Sequence, residues 1–280
     1  MKIGVIGANG FIAKHLVKGL LGKNKILQIY NSKVDGLIKD VESLNIDTFL
    51  NEKPNLDCIV YMASKIDFHE SIESMDLIYK TNVQLLRTIV EFYKETRLIY
   101  LSSCSIFGGG SMVISEKSHM NPSTSYSLSK LWGEIIVKQH SKNYTIIRTS
   151  SVFGPGMELN TFLPKIIIDS IRKNKITLFG DGLRIQNFIP VEELVKYLIY
   201  YINEKEKKIC VAIHEISYSN LEIAQKIQKI TNCRIEFKNI DNSPSFNYSI
   251  PSPDFILESK DQGFFDQKIK DLFKWIEKTY

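Results

Sequence analysis

Cysteine is scarce: Cys58, Cys104, Cys210 and Cys233 are the four in 280 residues, far apart and never at paired spacing. That excludes a disulfide framework and a cysteine zinc site, and it fits a reducing cytoplasm. His69 and His119 likewise lack metal-ligand spacing, so no metal is expected. No apolar run approaches the roughly 20 residues of a membrane-spanning helix. Met1-Lys-Ile-Gly-Val-Ile-Gly7 runs straight into a strand-like pattern, leaving no room for a signal peptide. The expectation is a soluble, cytoplasmic protein with no membrane partner. There is also no dense basic block: the net charge of +5 comes from lysines scattered along the chain. A nucleic-acid groove is therefore not expected, whereas a mildly positive pocket for an anionic small molecule is. Repeats and low-complexity segments are missing too.

What remains is an ordinary globular composition, 44% hydrophobic and 24% charged, with length enough for a large core and a smaller appendage. Lys2 to Ile6 reads as a buried strand, Phe11 to Leu21 as a helix with its apolar face at Ile12, Leu16 and Leu20, and Ile26 to Tyr30 as a second strand. Further apolar strands follow at Cys58 to Met62, Leu98 to Ser102 and Tyr144 to Arg148, separated by helical patterns at Leu77 to Lys94 and Tyr126 to Lys138. Such alternation implies a doubly wound parallel sheet in an α/β fold. After Gly154-Pro155-Gly156 the texture changes to short strands, loops and helices. Residues 1–153 are read as a dinucleotide-binding domain and 154–280 as mainly a smaller substrate-binding domain, with segments around 184–202 returning to the first.

Gly7-Ala-Asn9-Gly10-Phe11-Ile12-Ala13 lies between the first strand and the first helix, where backbone amides and a helix N-terminus can hold a pyrophosphate. Gly7 permits the tight turn, Gly10 permits close approach, and Ala13 stands where a third glycine would pack. An acid at the end of the second strand would hold the ribose hydroxyls of NAD and repel a 2'-phosphate. Here that strand ends Tyr30-Asn31-Ser32-Lys33. With the acid missing and Ser32 and Lys33 suited to a phosphate, NADP is favoured over NAD.

Tyr126 and Lys130 stand four residues apart, on one face of a helix. A cation at that spacing lowers the phenol's pKa, equipping the tyrosine for acid–base work on alcohols and ketones.

Three signatures in order, Gly7-x-x-Gly10, Leu101-Ser-Ser-Cys-Ser-Ile-Phe-Gly108 and Tyr126-x-x-x-Lys130, resemble those of the extended short-chain dehydrogenase/reductases. Within them the chain is similar to the NAD-dependent epimerase/dehydratase group that acts on nucleotide-linked sugars. Asp57 to Ser64, Thr81-Asn82-Val83, Arg148 to Pro155 and Gly180 to Glu193 add matches nearly end to end. The resemblance implies a Rossmann-type domain, a nucleotide-sugar substrate and a homodimer formed through the Tyr126 helix and the helix before it. It makes Tyr126 the general acid or base, has Lys130 lower its pKa and hold the nicotinamide ribose, and sets Ser103 against the substrate oxygen. Cofactor contacts are implied for Gly7, Asn9, Gly10, Phe11, Ile12, Asn31, Ser32, Lys33, Met62, Ala63, Ser64, Asn82, Tyr126, Lys130 and Val152. Asn45 and Ile46 match the adenine position, with Asn45 departing from the usual aspartate. Lys65, Ser103, Ser105, Tyr126, Ser151 and Arg184 are the substrate-facing set, with Asn187 a further candidate. Taken alone, Ser102, pointed away by strand alternation, and Ser105, beyond the strand end, read as turn serines satisfying local backbone, and Cys104 as a packed thiol.

One departure narrows the reaction. Dehydratases of this group follow the catalytic hydroxyl with an Asp-Glu pair, and here Cys104-Ser105 follows Ser103. Dehydration is thereby disfavoured. A single reduction of a keto-sugar by NADPH is preferred, with a 4-epimerase retaining NAD as the alternative and a non-catalytic dinucleotide sensor or scaffold behind both. Gln186 stands where the group commonly has a diphosphate arginine, and strand alternation puts Arg184, two residues away, on the same face as the candidate for a neighbouring phosphate position.

Overall fold

A computed structural model describes residues 1–31, 34–67, 71–109, 113–115, 118–249 and 262–279; Ser32, Lys33 and His69 lie outside that set. The chain opens with β1 (Lys2–Ile6), α1 (Phe11–Leu20), β2 (Lys25–Tyr30), β3 (Ser43–Asn45), α2 (Ile46–Glu52) and β4 (Cys58–Tyr61). It continues through α3 (Ile72–Ile78), a π turn (Tyr79–Gln84), α4 (Leu85–Phe92), β5 (Arg97–Ser103), a 3-10 turn (Cys104–Phe107), β6 (Val113–Ile114), α5 (Ser125–His140) and β7 (Tyr144–Thr149). Then come β8 (Ser151–Phe153), α6 (Phe162–Lys173), β9 (Lys175–Phe179), β10 (Ile185–Gln186), β11 (Phe188–Pro190), α7 (Val191–Asn203) and β12 (Lys208–Ala212). Last are β13 (Tyr218–Ser219), α8 (Asn220–Thr231), β14 (Arg234–Lys238), β15 (Asn247–Tyr248) and α9 (Gln262–Thr279).

Contacts divide the chain into two compact units. The first holds Met1–Gly108, His119–Thr149 and Val195–Ala212. Its centre is a seven-stranded sheet ordered β12-β7-β5-β4-β1-β2-β3, every pair parallel. Continuous apolar strands such as Cys58-Ile-Val-Tyr61, buried throughout, suit a sheet covered on both faces. On one face Ile6, Leu27, Ile29, Ile59, Tyr61, Leu98, Tyr100 and Ile146 pack against Phe49 of α2, Leu86 and Ile89 of α4, and Val137 of α5. The chain runs outward from β1 to β2 and β3, then returns to place β4 on β1's other side. That reversal opens a crevice at the carboxyl ends of β1 and β4, where ligands of such sheets sit.

Two sequence expectations shift. The core face of α1 is Ala13, Leu16, Val17 and Leu20, and Ile12 is only half-buried; the buried stripe begins one residue later because Ile12 lies in the first turn, at the strand ends. The helical stretch expected over Leu77 to Lys94 runs instead from Ile72 to Phe92 and is widened by the π turn. Its extra residue turns Asn82 inward, to 1% exposure.

The second unit holds Gly109–Ser118, Ser150–Leu194 and Ile213–Tyr280. A parallel β9–β14 pair carries α6, α8 and α9 over a core that includes Leu163, Ile167, Ile176, Ile223, Phe265 and Leu272. Parallel β8–β11, antiparallel β10–β13 and parallel β6–β15 complete it.

Candidate active site

The loop after β1 is shaped by its glycines. Gly7 has φ +85°, and a Cβ there would stand 2.7 Å from the Ala63 nitrogen at the end of β4. The Gly7 and Ala8 amides both donate to the Ile29 carbonyl, which draws β1's loop against β2. Gly10 is the N-cap of α1, without a side-chain cap, and no acid occupies the first turn. The first-turn amides of Phe11, Ile12 and Ala13 therefore face no carboxylate of their own turn, and the positive helix end favours an anion. A cradle that only glycine fits, opening on a bare helix N-terminus, fits a pyrophosphate.

At the end of β2 the geometry is more local. Tyr30 is in register with Asn45, and the Asn45 Nδ2 donates to the Asn31 carbonyl. The Asn45 Oδ1 accepts from the Asp47 amide at 2.9 Å, which caps α2. Ile46 is 6% exposed in the sheet core. The side chains matched to the adenine position thus serve a cap and a core contact. Asn31 itself is exposed, and no carboxylate takes its place.

The Tyr126 site forms where three elements meet within the first unit. Thr124 and Ser127 make a reciprocal capping box that starts α5 at Ser125, so Tyr126 falls in the first turn and Lys130 one turn later. Ser103 ends β5, half-buried, and its Oγ caps the 3-10 turn by accepting from the Ser105 amide at 3.1 Å. Ser64 follows β4. Side-chain hydrogen bonds join the Tyr126 phenol to both Ser103 and Ser64. The two serines thereby bring the ends of β4 and β5 to one phenolic oxygen.

Electrostatics here differ from the sequence expectation. Burial pushes the Tyr126 phenol up to about 12, against the lowering effect of hydrogen bonds from Ser103 and Ser64. The phenol is therefore an acid that keeps its proton, contrary to the expectation of a value drawn toward neutrality. Lys130 shifts instead: 3% exposed, its amine is pulled by burial down to about 7, with Glu134 acting in the other direction. Its Nζ donates to the Leu101 carbonyl at 2.9 Å and lies 5.8 Å from the Tyr126 ring centre. Desolvation of both groups, the amine buried and the phenol half-buried, outweighs the through-space attraction that spacing alone suggests.

Asn82 holds the surroundings in place. Its Oδ1 accepts from the Lys65 amide at 2.7 Å, and its Nδ2 donates to the Lys65 carbonyl at 3.0 Å and to the Ser129 Oγ at 2.9 Å. Its side chain is thus engaged with protein, and what it touches is the backbone after β4 and the residue before Lys130. Ser102 points its Oγ at Glu134 at 2.7 Å. Cys104 is 1% exposed with its Sγ on the Arg148 carbonyl, a packed thiol. Ser105 departs from the reading of a serine that satisfies local backbone: its buried Oγ has no partner among the described residues.

Ser151, Val152, Arg184, Gln186 and Asn187 belong to the second unit. The Ser151 amide donates to the Asn187 carbonyl, and Val152 pairs with Ile189. Asn187 is 2% exposed and its side chain bonds His214, Ser217 and Ser150, a clamp and not a free ligand. Gln186 is held by Asn220 at 2.6 Å. Arg184 lies just before β10, so strand alternation does not relate it to Gln186 as expected. Its Nε donates to the Pro244 carbonyl, and burial lowers its pKa against the opposing charge of Asp241. It lines a cavity of about 460 Å3 together with Asp181, Asp241, Ser243 and Ser245, where the two acids oppose an anion. His119 is exposed, and no metal-ligand cluster occurs among the described residues. Among the described residues no helix is long and apolar enough to cross a membrane.

The sequence reading missed Glu134 and Arg148. Glu134 extends the Tyr126, Lys130 spacing by one more step of four, and that continuation was the signal available.

A family model, that of the NAD dependent epimerase/dehydratase family, matches residues 3–212, a span that includes the glycine cradle, Ser103, Tyr126 and Lys130. The chain belongs to this family. Among its curated relatives in the NAD dependent epimerase/dehydratase family, a dTDP-D-glucose 4,6-dehydratase of Dictyostelium discoideum is 24% identical over 269 residues, covering 82% of this chain and 62% of that protein. The chain thus spans less than two thirds of that relative's length. A GDP-6-deoxy-D-talose 4-dehydrogenase of Aggregatibacter actinomycetemcomitans is 27% identical over 249 residues, covering 85% and 83%. Among solved structures, a UDP-glucuronic acid 4-epimerase of Bacillus cereus in complex with UDP-glucuronic acid and NAD superposes over 100% of both chains with a TM-score of 0.81 at 18% identity. At that identity the likeness is one of fold.

Proposed function

We propose that this member of the epimerase/dehydratase family reduces a nucleotide-linked keto-sugar, for example a 4-keto-6-deoxyhexose, with NADPH. The observation that carries the reading is the meeting of the Ser103 and Ser64 hydroxyls on the Tyr126 phenol. A phenol that keeps its proton is suited to giving it to a carbonyl oxygen as that oxygen gains electrons. Ser103 steadies the oxygen, Tyr126 protonates it, and the Lys130 amine supplies positive charge beside the ring. The cradle of Gly7 and Gly10 and the first turn of α1 would hold the dinucleotide, which supplies the hydride when bound. Ala63 and Ser64, at the end of β4, would border the nicotinamide, and Asn31 would face the adenosine ribose.

Lys65 and Ser105, in the same unit as Tyr126, are inferred to contact the sugar nucleotide. NADP is preferred because Asn31, the residue after β2, is not a carboxylate. The alternative of a 4-epimerase that retains NAD is supported by a relative, a UDP-glucose 4-epimerase of Lactobacillus helveticus, 25% identical over 276 residues that cover 85% of this chain and 84% of that protein. Dehydration is disfavoured by Cys104 and Ser105, which cannot serve as the extra acid and base. A homodimer through α3, the π turn and α5 is inferred from the exposed Met75, Tyr79, Leu128, Trp132 and Ile135, with Tyr79 and Trp132 ring centres 5.5 Å apart. A monomer in sedimentation velocity would end that inference.

The test is incubation with NADPH and a panel of dTDP-, UDP- and GDP-linked 4-keto sugars. Loss of NADPH absorbance that requires the keto-sugar supports reduction. In a parallel series with the matching 4-hydroxy sugars and NAD, interconversion of 4-epimers without net oxidation sinks it in favour of the epimerase.

A further inference from the structure

Glu134 is fully buried in the middle of α5, yet it makes four polar contacts. Its Oε1 accepts from the Ser102 Oγ at 2.7 Å and from the Arg148 Nε at 2.9 Å, and its Oε2 accepts from the Arg148 Nη2 at 2.8 Å. Lys138, one turn on, brings its Nζ to 3.8 Å. Ser102 and Arg148 are register partners on β5 and β7, so one carboxylate ties α5 to two neighbouring strands. Ser102 directly precedes Ser103, and Lys130 stands one helical turn before Glu134. The Arg148 guanidinium lies 5.2 Å from the Phe107 ring centre.

Holding a helix to a sheet does not require charge. A buried ion pair is commonly replaced by apolar residues of similar volume with little loss of stability. What an apolar pair would lack here is a negative charge one turn from the buried Lys130. The titratable or charged groups facing Lys130 and Glu134 are Tyr100 of β5, Arg148 of β7, Tyr126 and Lys138 of α5, and Cys104 beyond Tyr126. Behind Tyr100 stands Tyr61 of β4, ring centres 6.0 Å apart. Glu134 is the carboxylate of this set, and it is the group that opposes the burial of the Lys130 amine.

We propose that Glu134 is a positioning residue of the Tyr126 site, a buried negative charge that keeps Lys130 cationic while tying the strand of Ser103 to the helix of Tyr126. It acts through Lys130 and Ser102, not by contact with substrate. The proposal rests on the roles given above to Ser103, Tyr126 and Lys130, and its test does not depend on turnover.

The experiment is a pH titration of the ε-13C lysine resonances of the full chain, with the Lys130 signal assigned by its loss in Lys130→Met. Glu134→Gln is expected to lower the Lys130 midpoint by about one pH unit, a tenfold weaker proton affinity, while Glu134→Asp restores most of it. Where Glu134→Gln does not fold, the paired replacement Glu134→Leu with Arg148→Met removes both charges and is expected to lower the midpoint too, since Glu134, one helical turn from Lys130, is the charge of the pair that acts on the amine. A Lys130 midpoint unchanged in a folded Glu134→Gln, or unchanged in the paired replacement, overturns the proposal. An absence of NADPH oxidation by the parent protein would sink the reductase reading and leave this result standing.

Discussion

The Asn82 Nδ2 donates to the Ser129 Oγ over 2.9 Å, and the Ser129 Oγ in turn donates a hydrogen bond to the Tyr126 carbonyl at 2.7 Å. A residue of the π turn thereby holds the first turn of α5 and, through Lys65, the loop after β4. Asn82→Ala removes three hydrogen bonds at a buried position, and it is expected to cost about 2–4 kcal/mol. Chemical denaturation checks that figure. Turnover should fall at least tenfold with little change in dinucleotide affinity, because the loss loosens Ser64 and Tyr126 and leaves the glycine cradle alone. A stability loss without any change in turnover would remove Asn82 from the support of the site.

Much of this framework is legible in the sequence, and the reasons are physical. Strands buried on both faces write themselves as apolar runs, so Lys2–Ile6 and Cys58–Tyr61 were readable within a residue. The cradle was readable because Gly7 must adopt a positive φ and no side chain fits beside Ala63. Less legible was whatever depends on burial in three dimensions. The four-residue spacing of Tyr126 and Lys130 gives their proximity but not the loss of water around them, and that loss reverses the expected direction of the phenol's shift. Nor could the spacing of Asn45 or Asn187 reveal that their amides are engaged by a helix cap and by His214. A short polar side chain looks the same in sequence whether it faces a ligand or its own backbone.

Tyr126 should remain protonated far above neutral pH. Burial holds its folded value at about 12, so the difference in absorbance at 295 nm between the parent protein and Tyr126→Phe should show no phenolate signal below about pH 10. Tyr126→Phe is also expected to lower turnover by a factor of about 1,000 with dinucleotide binding intact, since a lost proton donor affects the chemical step alone. A phenolate signal near pH 7 would contradict the burial argument.

Lys130 sets function against stability. Its folded value, about 7, lies below the ordinary 10.5, so between those two values the unfolded chain binds a proton that the folded chain resists. Stability attributable to this group therefore declines as pH falls from 10.5 toward 7 and levels off below. Lys130→Met removes the penalty along with one hydrogen bond to Leu101, for a net gain of about 2 kcal/mol at pH 6 that fades toward pH 10. Turnover should fall at least a hundredfold. Thermal unfolding at a series of pH values measures the first effect, and a variant less stable than the parent at pH 6 would show that the buried amine is compensated by other groups.

Cofactor choice rests on the end of β2, where Asn31 is exposed and its carbonyl is held by Asn45. Because only the Asn31 backbone takes part in that bond, its side chain can be exchanged without disturbing the cap of α2. Asn31→Asp adds a carboxylate at the position where it would meet a 2'-phosphate, and a unit charge at roughly 4–5 Å in a partly solvated site opposes an anion by about 1–3 kcal/mol. The dissociation constant for NADPH should accordingly rise about tenfold or more, while that for NADH stays level or falls as the new acid meets the ribose hydroxyls. Calorimetric titration of both dinucleotides into parent and variant provides the comparison. Equal changes for the two would mean that the end of β2 does not read the 2'-phosphate, and the preference for NADP would fall with it.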